Sequence, residues 1–230
     1  MKTLPSEFPG RVTWTITFDE KTLGQLSART RKVFDFYSDV GLQDIVSPGP
    51  VPTVGKKSES FAGFLDSPVY RPLVATSQAF AGDPENWKLG HLPAALTSGV
   101  RRAFWRKFPD PTNCRNPDEN IAKPWTYSNE NITLPRVYSS RDHWFLAQTE
   151  LKPYRCDGPP NDAFVDQWFV IAPDEEIKFL GKAMWLVDAG DYGNDGKSEV
   201  VFSIAGYDTG GYELFYDDFK KHATFEFSYH

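Results

Sequence analysis

Residues 11–18, RVTWTITF, alternate strictly between apolar and hydroxyl-bearing side chains. Val12, Trp14, Ile16 and Phe18 fall on one side of an extended chain, and Thr13, Thr15 and Thr17 on the other. A period of two built from β-branched and aromatic residues belongs to a half-buried β-strand and is incompatible with a helical stripe. The same alternation returns at 223–229, where Phe225, Phe227 and Tyr229 oppose Thr224, Glu226 and Ser228. That pattern predicts a core strand closing a hairpin begun at Tyr212, with the three rings buried on one face.

Between these ends the grammar stays extended. Residues 22–30 and 33–37 read as strands. The stretch 69–77 reads as another, with Pro72 placing it at an edge or a strand start. Residues 47–57, crowded with Pro and Gly, read as a loop. One helix interrupts the series at about 93–108. There Leu96, Val100, Phe104 and Phe108 recur every fourth residue and Pro109 ends the run, while Gly99 weakens the helix by about 1 kcal/mol relative to alanine. After a Pro-rich stretch at 110–124, six segments (143–151, 164–171, 177–187, 198–204, 212–216 and 223–229) are spaced as antiparallel strands are.

The expected fold is therefore mainly β and antiparallel, barrel-like or a partial, irregular β-propeller, with one α-helix. Residues 1–230 read as a single β-rich domain with a candidate internal boundary at 110–124. No repeat of fixed period emerges. The core material is ample, since the 230 residues include 7 Trp, 10 Tyr and 18 Phe and each ring can bury roughly 150–250 Å².

The loop at 191–199 carries the chain's clearest chemistry. Asp191, Asp195 and Glu199 stand at its first, fifth and ninth places, Gly196 at the sixth, and Lys197 offers a backbone carbonyl at the seventh. A hard cation such as Ca²⁺ takes six to eight oxygen ligands, and a tight turn gathers them when acids recur and a glycine permits positive φ. Apolar segments flank the loop, MWLV before it and VVFSI after it.

This stretch, 190–202, resembles the FG-GAP/VCBS calcium hairpin, whose pattern is D-x-[DN]-x-D-G-x-x-D followed by an apolar strand. The resemblance extends over 177–230, a blade-like segment. It implies a structural Ca²⁺ held by Asp191, Asp195, Lys197 and Glu199, tying two strands of a blade together. Two positions depart from the pattern. Gly193 supplies no side chain at the third place, and Glu199 replaces the usual aspartate at the ninth; Asn194 sits one place late to substitute.

Other residues suggest less. The basic run 101–107, RRAFWRK, interleaves aromatics that could stack on bases. A helix with a charged outer face and Phe104 and Trp105 turned inward explains it better, and a net charge of −6 argues against a nucleic-acid partner. None of His91, His143, His222 and His230 lies at metal-ligand spacing from another. Asp166 before Trp168 and Asp188 after Trp185 place acids beside aromatics, and paired carboxylates in such a setting would suit glycoside hydrolysis, although alternation along a strand yields the same picture. Asn131-Ile132-Thr133 matches a glycosylation sequon.

Cys114 and Cys156 lie in loop-like sequence. Paired in an oxidising compartment, they would add about 4 kcal/mol by constraining the unfolded chain; in a reducing one they would be two independent thiols. No apolar run is long enough for a membrane span, and residues 1–10 show no signal-peptide core. The function expected is a non-enzymatic binding or structural module of the bacterial envelope or exterior, stabilised by calcium and meeting a carbohydrate or protein surface. The alternatives are a hydrolase using acids on the aromatic-rich strands, and a cytoplasmic β-protein.

Overall fold

A computed structural model of the chain describes residues 12–18, 21–28, 45–46, 52, 72–80, 82–118, 121–158, 160–206 and 208–228. In chain order the strands are β1 (Thr13–Phe18), β2 (Lys21–Ala28), β3 (Ile45–Val46), β4 (Val74–Thr76) and β5 (Lys88–Leu89). The helix α1 (Ala94–Lys107) follows, then β6 (Thr112–Asn113), β7 (Lys123–Pro124), β8 (Ile132–Ser139), β9 (Phe145–Leu151), β10 (Gln167–Ile171) and β11 (Ile177–Lys182). The last four strands are β12 (Met184–Gly190), β13 (Glu199–Ala205), β14 (Thr209–Tyr216) and β15 (Lys221–Ser228). The protein is mainly β, with one α-helix among the described residues. Every strand pairing whose register is resolved is antiparallel. No sheet among them closes into a barrel, so of the two architectures expected the open, irregular one remains. No described helix is long and apolar enough to cross a membrane.

The chain divides into two compact units, Met1–Pro84 with Trp185–His230, and Glu85–Met184. The Glu85–Met184 unit is a five-stranded sheet in the order β11-β10-β9-β8-β5, with α1 on one face. Register explains the core directly. Val137, Ala147, Phe169 and Phe179 are consecutive partners across four strands, so they form one row under the helix. Helix residues Leu96, Val100, Ala103 and Phe104 cover that row, three or four apart as a buried stripe must be. Gly99 is set by proximity, because a Cβ there would stand 2.8 Å from Ile177 Cδ1. The helix approaches β11 too closely for a side chain, which offsets glycine's low helix propensity. Arg106 and Lys107 occupy its last turn, where the helix dipole favours cations.

Residues 110–124 lie within this unit and form part of its clasp. Cys114 is disulfide-bonded to Cys156 across 42 residues. Buried Asn113 braces the bridge from beside it: its amide donates to Pro153 O at 2.9 Å, and its Oδ1 accepts the N–H groups of Cys114 and Arg155.

The other unit holds two four-stranded sheets, β3-β2-β1-β4 and β12-β13-β14-β15. Ile16 and Phe18 of β1 are buried as the alternation predicts, and so are Thr15 and Thr17 on the opposite face. The candidate strand 33–37 lies outside the described residues. The C-terminal expectation divides. β15 pairs with β14 over eight residues, Tyr212 opposite Phe225, as the hairpin reading requires. Its aromatic side is not a closed core, however: Phe225 is 59% exposed, Tyr212 opposite it on β14 is 40% exposed and Phe227 is half-buried, while Tyr229 lies outside the described residues. β15 is an edge strand, and the buried rings of this sheet are Phe202 and Phe215 on the other face.

Candidate metal-binding loop

The 191–199 segment joins β12 to β13, neighbouring strands of one sheet, so the loop is a hairpin connection. Asn194, at φ 56°, and Gly196, at φ 86°, take the left-handed conformations that turn the chain, and both residue types tolerate that region. The turn brings Asp191, Asp195 and Glu199 together, one carboxylate oxygen from each lying within 4.8 Å of the others. Asp191 and Glu199 are buried and Asp195 is exposed.

Backbone N–H groups hold the two buried acids. Asp191 Oδ1 accepts from Asp195 N at 2.9 Å and its Oδ2 from Gly196 N at 3.0 Å. Glu199 Oε2 accepts from Tyr192 N at 2.6 Å and from Gly193 N at 3.0 Å. Asp195 Oδ1 takes the N–H of Lys197. Burial raises the Glu199 pKa; the two backbone donors oppose that, and the negative charges of Asp195 and Asp191 add to it. Three carboxylates this close repel one another, and a hard cation with oxygen preference fits such a donor set. Lys197 is in the loop as expected, but its side chain turns away to Asp218, Nζ to Oδ2 2.8 Å.

A second segment frames the loop, and local sequence gave no sign of it. Asp191 N donates to Gly82 O at 2.8 Å, the Ser198 hydroxyl bonds to the Asp83 carboxylate, and Thr76 Oγ1 donates to Tyr192 O at 3.4 Å. The Phe80 and Tyr192 rings stack at 5.5 Å. These contacts span more than a hundred residues of sequence, so no spacing rule could reveal them.

The remaining candidates separate. Asp166 stands beside Glu150, continuing the register in which Gln167 faces Thr149. Burial, then the Glu150 charge, raises the Asp166 pKa to about 6, while Gln148 and Arg136 oppose the rise. Asp188 is buried on β12, with Ala189 N donating to its Oδ1. His222 bonds to Glu213, which also accepts from Thr224 Oγ1 at 2.8 Å. Asn131 of the sequon is bound into the fold: its Nδ2 donates to Lys152 O at 2.9 Å and its Oδ1 accepts from Ser128 N. Of the basic run, Phe104 is fully buried, and Trp105 is half-buried with its ring flat on Tyr127 at 3.8 Å.

No family model, curated protein or solved structure matches the chain.

Proposed function

We propose that the 191–199 hairpin binds Ca²⁺ and that the protein is a non-enzymatic, calcium-stabilised binding or structural module of the bacterial cell envelope or exterior. The observation carrying this reading is the carboxylate trio, two of its members buried and held by backbone N–H groups before any ion arrives. Asp191, Asp195 and Glu199 supply hard oxygen ligands, and the Lys197 carbonyl completes the set implied by the loop pattern. An ion there would relieve the mutual repulsion of the three acids and tie β12 to β13. The Cys114–Cys156 disulfide supports an oxidising compartment, where such bonds persist. In Ca²⁺ at a hundredfold excess over Kd, native-state binding adds about 2.7 kcal/mol of stability. A rise in melting temperature with Ca²⁺ that EDTA reverses, and that Asp191→Asn abolishes, is the expected result. Calorimetry without heat and melting without a shift would remove the metal site.

The hydrolase alternative falls on Asp166, whose proton is retained up to about pH 6 by burial and the neighbouring Glu150 charge, as a general acid needs. It requires that Asp166→Asn abolish turnover of a glycoside that the unaltered protein cleaves.

A further inference from the structure

The helix α1 carries four cations in its run 101–107, and the side chains of only two of them meet a carbonyl or a ring among the described residues. Arg101 Nε donates to the Ile132 carbonyl at 3.3 Å, and Lys107 Nζ rests over the Phe179 ring, 4.2 Å from its centroid. Arg102 and Arg106 are both exposed, and neither has an ion pair or hydrogen bond among the described residues. Four residues apart on one helix, their Cβ atoms lie about 5–6 Å from each other, and like charges at that spacing destabilise a helix. Between them lies Trp105, and these three with Asn129 line a shallow depression of about 500 Å³.

The floor of this depression is rigid. The indole is fixed from behind by Tyr127, at 3.8 Å and 7° between planes, and its Nε1–H donates to Asn129 Oδ1 at 3.0 Å. That bond also orients the Asn129 amide, leaving its two N–H donors available. Two guanidinium forks, an indole and an amide donor form a recognisable set. Guanidinium binds carboxylate in paired hydrogen bonds; the indole offers a flat apolar surface to the C–H face of a sugar ring; the amide donates to a hydroxyl.

We propose that Arg102, Trp105, Arg106 and Asn129 bind an acidic carbohydrate, a chain of hexuronate residues carrying one carboxylate per ring. Nucleic acid is the weaker fit. Two uncommitted cations on a chain of net charge −6 give little counterion release. A uronate needs only one or two carboxylates held at a time. The inference gives the binding-module reading a ligand class and does not depend on the calcium loop, which lies in the other compact unit.

The test is calorimetric titration of the full chain with trigalacturonate in EDTA, so that calcium cannot bridge ligand and protein. Galactotriose, inorganic phosphate and oligothymidylate are titrated in parallel. Trigalacturonate binds and the other three do not, and Arg102→Gln with Arg106→Gln weakens binding about tenfold or more at unchanged melting temperature. The arginines are chosen because Trp105 also supports Tyr127, so altering it would test the fold as well as the site. Absence of heat with trigalacturonate, equal binding of galactotriose or phosphate, or an unaltered affinity in the double variant each overturns the proposal. Preferential binding of oligothymidylate overturns it in favour of a nucleic-acid surface. Because chelator is present throughout, failure of the calcium reading leaves a positive result standing.

Discussion

Glu199 occupies the space above Gly193: its Oε1 stands 3.0 Å from where a Cβ on residue 193 would be, and its Oε2 accepts that residue's N–H, also at 3.0 Å. The two departures of this loop from the calcium-hairpin pattern are thus one arrangement. The glutamate, a methylene longer than aspartate, reaches across to the third position, and glycine leaves room for it.

The coupling is measurable. Gly193→Asp alone brings a side chain and a charge against Glu199, and should cost about 1–3 kcal/mol. Glu199→Asp alone shortens the acid and weakens its hold on the N–H groups of Tyr192 and Gly193, again destabilising. Together they restore the residue types of the pattern, so the double variant should be more stable than the sum of the singles by about 0.5–3 kcal/mol. Denaturant unfolding of the four proteins in EDTA reads this without any contribution from metal. Strictly additive losses would mean that the residues do not share that space.

Asp166 makes stability depend on pH in the direction opposite to that of a salt-bridged acid. Burial, then the Glu150 charge, raises its folded pKa to about 6 from an ordinary value near 3.8. The charged groups facing it are Glu150, itself ion-paired to Lys152, and Arg136, with Gln148 the neutral partner. The folded state therefore holds a proton that the unfolded chain releases. Below both values the group costs nothing; stability falls as pH rises from about 4 to about 6 and then levels. Allowing for partial solvent screening, the loss is about 1–2 kcal/mol. Asp166→Asn removes the titration and should flatten the profile across that window. Unfolding midpoints taken at half-unit pH steps decide it, and a variant with the same slope as the unaltered protein would assign the slope to other groups.

What the sequence made legible followed from periodicity. Strict alternation located β1, and the four-residue apolar spacing located α1 to within a residue at each end. β8 was hidden because Pro135 interrupts it; the strand tolerates proline by breaking its ladder to β9 between Thr133 and Arg136. Residues 177–187 read as one strand because the break at Ala183, φ 51°, carries neither Gly nor Pro. Alternation at 223–229 gave a strand and its hairpin but could not say what covers it, and Phe225 on its aromatic face is in fact exposed. In the loop, acid spacing identified Asp191, Asp195 and Glu199. The brace from residues 76–83 was invisible, because a contact such as Ser198 with Asp83, 115 residues apart, leaves no local pattern.

Asn131 is a structural residue in a sequence that matches a glycosylation signal, and the two roles predict different mutational behaviour. Its Oδ1 accepts from Ser128 N at 2.9 Å and from Ser128 Oγ at 3.2 Å, while its Nδ2 donates to Lys152 O and its backbone carbonyl accepts from Lys152 N. These bonds close the short 3₁₀ turn Asn129–Asn131 and pin the entry of β8 to the exit of β9. Removing the amide leaves the Ser128 N–H and the Lys152 carbonyl without a protein partner, at about 1–2 kcal/mol. Thr133, which completes the sequon, is exposed and gives one long bond, 3.4 Å, to Glu150 O. If the triplet serves only as an acceptor for glycan, Asn131→Ala and Thr133→Ala should be equally harmless in protein made without glycosylation. The hydrogen bonds require instead that Asn131→Ala lower the unfolding midpoint clearly and Thr133→Ala hardly at all. Equal midpoints for the two variants would show that the turn does not depend on this amide.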